Sequence, residues 1–226
     1  LCAVGAVVLA LPSTHLRDVC RALAPHVAPD VPVLVLTKGM EPGTHQLMLD
    51  VAAAELGHAE RMAVLSGPNH AEEICLGQVS AAVLACGSPE VGERLRGLVA
   101  TPSFRVYASD DVTGVEVCGA MKNVVAIACG IAAGLGAGDN TQAVLMTRGI
   151  AEIGRVSDAL GGSPLTPMGL AGMGDLVATC TSEHSRNRTF GEAFVAGEGL
   201  AAYEARTGMV VEGAHAAQSF WELARE

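Results

Sequence analysis

The sequence predicts an α/β fold: a mostly parallel sheet in the first 110 residues, followed by an all-α half. Three observations carry this. Short apolar runs of strand length recur between stretches whose apolar residues keep helical spacing, the pattern of alternating strands and helices. The rhythm changes after Asp110-Asp111, beyond which no run reads as a strand. Two long segments there, 112–134 and 140 to Gly161-Gly162, keep a helical pattern throughout.

Each element has its own warrant. Residues 4–11 are a short apolar run, as in a buried parallel strand. Pro12 ends it, and Ser13 or Thr14 can cap a helix in which Leu16, Val19, Cys20, Leu23 and Val27 recur at helical spacing. Residues 31–37 predict a second buried strand, with Lys38-Gly39 directly after it. Residues 46–56 read as helix, 62–65 as strand, Ser66-Gly-Pro-Asn69 as a turn and 79–86 as a strand. Residues 90–99 are helical and 104–107 form a last short strand. In the second half, 112–134 is a long helix followed by the connection Gly134-Leu-Gly-Ala-Gly138. Asn140 can cap the next helix, and Thr166-Pro167 has the form of a cap with Pro in the first helical position. Ser185 opens a helix to about Val195, and 212–225 is the last. In open parallel sheets ligands bind beyond the carboxyl ends of the strands. Lys38-Gly39 and Ser66-Gly-Pro-Asn69 occupy such ends, facing wherever the helical half docks.

The bulk numbers narrow the function. Of 226 residues, 50% are hydrophobic and 3% aromatic, so Ala, Val, Leu and Gly must pack the core. A formal net charge of −10 argues against nucleic acid as a partner, and an anionic substrate would need a local basic site. Seven cysteines (Cys2, Cys20, Cys75, Cys86, Cys118, Cys129, Cys180) are scattered with no zinc spacing. They read as small buried hydrophobes in a reducing cytoplasm, with no metal site. Gly, Asn or Lys breaks the longest apolar stretches, so no membrane span or signal peptide is expected. The chain opens at Leu1 inside what reads as an element, so it reads as part of a longer protein.

Three charged features stand out. Residues 115–138 are almost uncharged yet carry Lys122, in Gly119-Ala-Met-Lys-Asn123, and burying an unpaired ammonium is costly. Such an amine either snorkels to solvent or is a proton carrier with a depressed pKa. Asp175 sits in the uncharged Gly172-Met-Gly-Asp-Leu176, as a helix cap or as the partner of Lys122. Ser185-Arg-Asn-Arg188 places two cations at a helix N-terminus, against the macrodipole, a conflict that a bound anion relieves. Thr179 and Thr181 can add hydroxyls. An amine, a carboxylate and an anion clamp together point to a small phosphorylated substrate. Lys38 reads equally as an ordinary loop lysine, while the residues alone make the 66–69 stretch a plain turn and His70 structural. No Gly-x-Gly-x-x-Gly follows a strand; Gly134-x-Gly-x-Gly138 follows a helix, where it is no dinucleotide loop.

Read together, the motifs Thr37-Lys-Gly39, Leu65-Ser-Gly-Pro68, Ala71-Glu-Glu73, Gly119-Ala-Met-Lys-Asn-Val-Val-Ala-Ile127, Gly138-Asp-Asn140, Thr147-Arg-Gly149, Gly169-Leu-Ala-Gly172, Gly174-Asp-Leu176, Thr179-Cys-Thr181, Ser185-Arg-Asn-Arg188 and Val211-Glu-Gly213 resemble the NAD(P)-dependent glycerol-3-phosphate dehydrogenases of bacterial type. The resemblance implies a partial Rossmann-like dinucleotide-binding domain over 1–110 and a helical substrate domain over 111–226. It implies NAD or NADP as cofactor and interconversion of dihydroxyacetone phosphate and sn-glycerol 3-phosphate for phospholipid synthesis, in a possible homodimer. Lys122 would exchange the proton with the substrate oxygen, with Asp175 beside it. Lys38, Gly67, Asn69, Asn123, Thr179, Ser185, Arg186 and Asn187 would contact substrate; Lys38, Ala71, Arg186, Val210 and Glu212 would contact cofactor. The chain departs from the family's pattern at Asn69, usually Ser or Thr, and at His70, usually Phe, which implies tuned affinity. The family's first strand with its Gly-rich loop and its C-terminal end have no counterpart in the sequence. A hydroxyacid dehydrogenase of the same plan, or a non-catalytic piece, are the alternative readings.

Overall fold

The computed structural model describes residues 4–225. Five strands, β1 (Val7–Leu9), β2 (Val33–Val35), β3 (Met62–Ser66), β4 (Ser80–Cys86) and β5 (Phe104–Ser109), form one sheet in that order. All five residues of β3 and all three of β2 are buried, which explains their unbroken apolar sequences. β1 and β2 are shorter than the apolar runs that announce them. Past Leu9 and Val35 the ladder gives way to a side-chain contact, with Thr37 Oγ1 donating to the Leu11 carbonyl at 2.9 Å.

The sheet is not wholly parallel. β1–β2, β2–β3 and β4–β5 run parallel, but β3 and β4 are antiparallel, with Val64 opposite Ala85. The cause lies in residues 67–79, which hold only the short helix α3 (Ala71–Cys75). Five helical residues span about 7.5 Å, whereas returning along a five-residue strand takes about 17 Å. The link therefore turns the chain back rather than carrying it over.

Helices α1 (Leu16–Leu23), α2 (Met48–Leu56) and α4 (Pro89–Val99) flank the sheet. Ser88 caps α4 by accepting from Val91 N, with Pro89 in the first position. Leu16 and Cys20 face inward on α1, while Val19 is exposed and Val27 lies beyond its end. Neither Ser13 nor Thr14 caps α1. Both lie in a 3-10 turn, Ser13–His15, and the Ser13 side chain is engaged elsewhere.

After residue 110 the described chain is helical: α5 (Val112–Gly134), α6 (Asp139–Ala159), α7 (Asp175–Thr181), α8 (Arg186–Val195), α9 (Leu200–Thr207) and α10 (Glu212–Leu223). α5 is the axis, with α6, α7, α8 and α10 packed around it. By length and composition it could cross a bilayer; its apolarity is accounted for by the helices that surround it. Glycines set the α5–α8 approach: a Cβ on Gly130 would lie 2.0 Å from the Arg188 carbonyl oxygen, and one on Gly191 2.3 Å from that of Ile127. Asp111 caps α5 by accepting from Gly114 N at 2.9 Å and also from Ser163 N and the Thr166 hydroxyl. That last bond is why Thr166 caps no helix of its own. It begins a 3-10 turn, Thr166–Met168, which leads into a π-helical turn, Leu170–Gly174, and then α7. The cap position of α6 is Gly138 rather than Asn140, so the Asp139 carboxylate falls in the first turn, where the helix dipole favours it.

Candidate active site

The C-terminal ends of β1 and β2 face α5, the start of α8 and the 208–212 segment across a cavity of about 480 Å³. Its floor is an ion cluster. Lys122, one turn along α5 from Gly119, donates to Asp175 Oδ1 and to Thr179 Oγ1, the latter at 2.9 Å. Lys38, straight after the second strand's apolar run, reaches the other carboxylate oxygen, Oδ2, at 2.9 Å. The Ser66 hydroxyl donates to that oxygen at 3.4 Å, and Asn69 Oδ1 accepts from Lys38 at the same distance. Lys122 is 7% and Asp175 2% exposed. Thus one carboxylate, 53 residues along the chain from Lys122, binds two ammonium groups.

Local structure aims each group. Gly119 lets the Lys38 stem cross α5: a Cβ there would sit 3.0 Å from Ser66 Oγ and 3.4 Å from Lys38 Cγ. Gly67 has φ +154°, and its missing side chain lets the turn after β3 pass Ala82, whose Cα a Cβ would meet at 2.7 Å. Thr179 Oγ1 donates to the Asp175 carbonyl at 2.6 Å, one turn back on α7, which orients its lone pairs toward Lys122.

Burial and the nearby Lys38 charge push Lys122 down to about 8, against the pull of Asp175. Burial works against the Asp175 carboxylate too, but the Lys38 and Lys122 charges overcome it and hold its pKa below the usual range. The ordinary alternatives for both residues, a solvent-seeking lysine and a capping aspartate, are therefore not what the structure shows.

The other wall is less uniform than Ser185-Arg-Asn-Arg188 suggests. Ser185 caps α8 by accepting from Arg188 N at 3.3 Å, and both Ser185 and Arg186 line the cavity. Arg186 is exposed and makes no ion pair among the described residues. Arg188 is committed to Glu192 at 2.9 Å, one turn on. Asn187 also reaches the wall, but its amide is used on both sides: Nδ2 donates to Asn123 Oδ1 at 3.0 Å, and Oδ1 accepts from Gly213 N at 2.9 Å. Asn123 and Asn187 thus lock α5, α8 and α10 together at the cavity edge. Thr181 is turned outward, donating to the Val177 carbonyl.

Of the remaining expected residues, Val210 and Glu212 line the cavity; Gly67, Asn69 and Ala71 do not, and Asn69 is tied to it through Lys38. The Glu212 carboxylate accepts from Ser13 N at 3.0 Å and Ser13 Oγ at 2.5 Å, bridging α10 to the end of β1. Sequence reasoning missed that bridge, and it missed Ser66. It also passed over Glu116 on α5, which accepts from Leu49 N at 2.8 Å and so ties α5 to the start of α2, just past the Lys38 loop. A carboxylate in an otherwise apolar segment was a visible signal for it.

Comparison with known proteins identifies the family. Residues 1–92 match the family model described as NAD-dependent glycerol-3-phosphate dehydrogenase N-terminus, and residues 111–226 match that of its C-terminus. The chain is 46% identical over 220 residues to glycerol-3-phosphate dehydrogenase [NAD(P)+] of Symbiobacterium thermophilum, covering 97% of this chain and 64% of that protein. It is 49% identical over 221 residues to the protein of that name from Corynebacterium glutamicum, covering 96% and 66%. The crystal structure of glycerol-3-phosphate dehydrogenase from Coxiella burnetii superposes with a TM-score of 0.92 at 38% identity, over 98% of this chain and 68% of that one. The chain thus spans a little under two thirds of the length of these two sequence relatives.

Proposed function

We take as premise that this chain belongs to the NAD-dependent glycerol-3-phosphate dehydrogenase family, and propose that the protein interconverts dihydroxyacetone phosphate and sn-glycerol 3-phosphate. The observation that carries this is Lys122, buried on Asp175 beside Lys38, at the foot of a cavity whose opposite wall offers Arg186 and the Ser185 hydroxyl. The cation pair suits a carbonyl that becomes an alkoxide. The arginine suits a phosphate.

The residues on the sheet side fit a nicotinamide. Ala10, Leu11, Pro12 and Leu36 form an apolar shelf for a planar ring, and Lys38, Val210 and Glu212 border it. NADH or NADPH, when bound, supplies the hydride that reduces the carbonyl carbon. The protein's own groups do the rest. Arg186 and Ser185 hold the phosphate. Lys122 Nζ donates a hydrogen bond to the carbonyl oxygen and passes its proton to the alkoxide as the C–H bond forms. In the reverse direction the neutral amine takes that proton from the hydroxyl. A pKa of about 8 suits both roles near neutrality. Asp175 holds the amine in place, and Thr179 fixes its second hydrogen bond. Residues 1–110 serve as the cofactor side and 111–226 as the substrate side. The product, sn-glycerol 3-phosphate, is the phosphorylated backbone on which glycerophospholipids are built.

The test is turnover of dihydroxyacetone phosphate with NADH and with NADPH by the full-length protein. Lys122→Ala should lower kcat/KM by about 10³-fold while NADH still binds. Faster turnover of a hydroxyacid than of glycerol 3-phosphate would instead favour a sister dehydrogenase. Normal turnover by the variant would end the lysine's role.

A further inference from the structure

Lys38 and Lys122 are the two lysines of this sequence, and they reach one carboxylate from opposite halves of the molecule. Lys122 and Asp175 both belong to the helical half, so the packing of α7 on α5 fixes their contact. Lys38 comes from the sheet half, and its ammonium meets Asp175 only if the loop after β2 is seated correctly on α5. Two residues of α5 receive that loop. Gly119 is the notch that the Lys38 stem crosses. Glu116, three residues earlier and so on the same face, is the polar contact: its Oε1 accepts from Leu49 N at 2.8 Å.

That bond does what α2 does not do for itself. The helix opens at Leu47-Met-Leu49, and the Leu47 side chain caps nothing. Glu116 supplies the cap from another element, with a carboxyl at the positive end of the helix dipole. The capped end is tied to Lys38 through the chain. Leu47 bridges Met40, and Glu41 N donates to the Gln46 carbonyl at 2.9 Å, which closes the loop two residues past Lys38. A residual cavity of about 10 Å³, bordered by Lys38, Ser66, Glu116 and Gly119, leaves scarcely room for one water. Ser219 and Glu222 of α10 also reach this loop, at Met40 and His45, over longer distances of 3.3 and 3.5 Å. Burial pushes the Glu116 carboxyl up to about 8, with the Leu49 N–H working against it and Asp50 adding to it. An acceptor oxygen is present in either protonation state.

Resting on the reading above for its catalytic meaning, we propose that Glu116 is a positioning residue: by capping α2 from α5 it sets the Lys38 ammonium against Asp175, and so acts on the reaction through Lys38.

The test uses the full-length protein labelled with ¹³C-lysine, in which the Lys122 Cε resonance is followed across pH without substrate. The charged groups that bear on Lys122 are Lys38, which lowers its pKa, and Asp175, which raises it. Glu116→Met removes the acceptor and lets Lys38 draw back. The Lys122 midpoint should then rise, in the direction that Lys38→Met moves it but by less. Loss of the Glu116 charge alone would lower that midpoint, so the sign separates the two causes. Glu116→Gln, which keeps an acceptor oxygen at the same reach, should titrate as wild type does. In turnover, Glu116→Met should lower kcat/KM about fivefold, and should leave it unchanged when Lys38→Met is already present. Should Glu116→Met fail to fold, Glu116→Asp, one methylene too short to reach Leu49, takes its place with the same expectations. The inference is overturned if the midpoint stays or falls, if Glu116→Gln behaves as Glu116→Met does, or if the kinetic loss persists in full without Lys38. Absence of turnover in the wild type would instead sink the dehydrogenase reading; the titration, which needs no substrate, would still decide whether Glu116 holds Lys38 in place.

Discussion

The ion cluster around Asp175 and the one around Arg17 have similar parts and opposite designs. Arg17 holds Glu41 with two parallel hydrogen bonds, at 2.7 and 2.6 Å, and reaches Glu55 at 2.8 Å; Arg21 adds a second cation to Glu55 at 3.1 Å. Arg21 also pairs with the exposed Asp18 at 3.2 Å, so each arginine has a carboxylate partner of its own within the cluster. The cluster pins α1 to α2 and the loop before it, and it sits where water still screens it, with the Arg17 side chain 26% exposed. Around Asp175 two lysines face one carboxylate, nearly out of water. A cluster whose every cation has its own carboxylate is complete by itself. A buried cluster carrying one excess positive charge is complete only when a ligand oxygen bears the matching negative charge, and in the reaction proposed above that charge develops as the carbonyl is reduced. An excess of cations kept out of water, rather than ion pairing itself, separates the Asp175 cluster from the structural staple.

The contrast can be broken from either side. Asp175→Asn should have the largest effect. It leaves two lysines with no anion, so kcat/KM should fall by about 10²–10³-fold, and unfolding free energy by about 3–5 kcal/mol, as when a buried pair loses one member. Since Asp175 raises the Lys122 pKa, the variant's residual activity should also change its pH profile. In wild type, reduction needs the ammonium, so its kcat/KM should be flat below pH 8 and fall above it, while oxidation rises toward pH 8 and levels off. Without Asp175 the break should move to lower pH.

Lys38→Met sharpens the comparison in the opposite sense. Removing the second cation relieves the charge that lowers Lys122, so the break should move to higher pH while kcat/KM falls by about tenfold. Stopped-flow rates across pH for the two variants should therefore shift in opposite directions. If both shift the same way, the picture of one carboxylate poised between two amines is wrong. Arg17→Ala, the smallest change, should cost about 1–2 kcal/mol in urea unfolding and leave kcat/KM within twofold. A large kinetic effect there would mean that the staple also governs the cavity.

Much of this was legible in the sequence. Lys122 was conspicuous because an apolar helix has little reason to carry an ammonium, and Ser185 was recognisable as a cap. The membership of the family came from many short motifs in order. What was not legible depended on contacts distant in sequence. Ser13 has the chemistry of a helix cap, and only the fold reveals that Glu212, 199 residues away, claims it. Asn187 has the chemistry of a ligand contact, and only the fold reveals that its amide also ties Asn123 to Gly213 at the cavity edge. Arg188 is withdrawn by a glutamate one helical turn on, a pairing the spacing could have shown. The antiparallel β3–β4 pair followed from a link too short to cross over, whose five-residue helix α3 displays too little periodicity to read; α9 went unread as well.

The π-helical turn before α7 has a consequence beyond its shape. Gly174 N bonds back five residues to the Gly169 carbonyl at 3.2 Å, so residues 170–174 wind wider than an α-helix before Asp175 begins α7. Gly172 allows no side chain here, since a Cβ would come within 2.1 Å of the Pro167 carbonyl oxygen. A residue lost from this turn would let it relax to the commoner winding and rotate everything after it by about 100° about the helix axis. Asp175 would then face away from both lysines although no residue of the cluster had changed. The aim of the carboxylate is thus stored as a count, and a one-codon deletion here would do what no substitution at Leu170 or Met173 could: put the reaction centre out of phase.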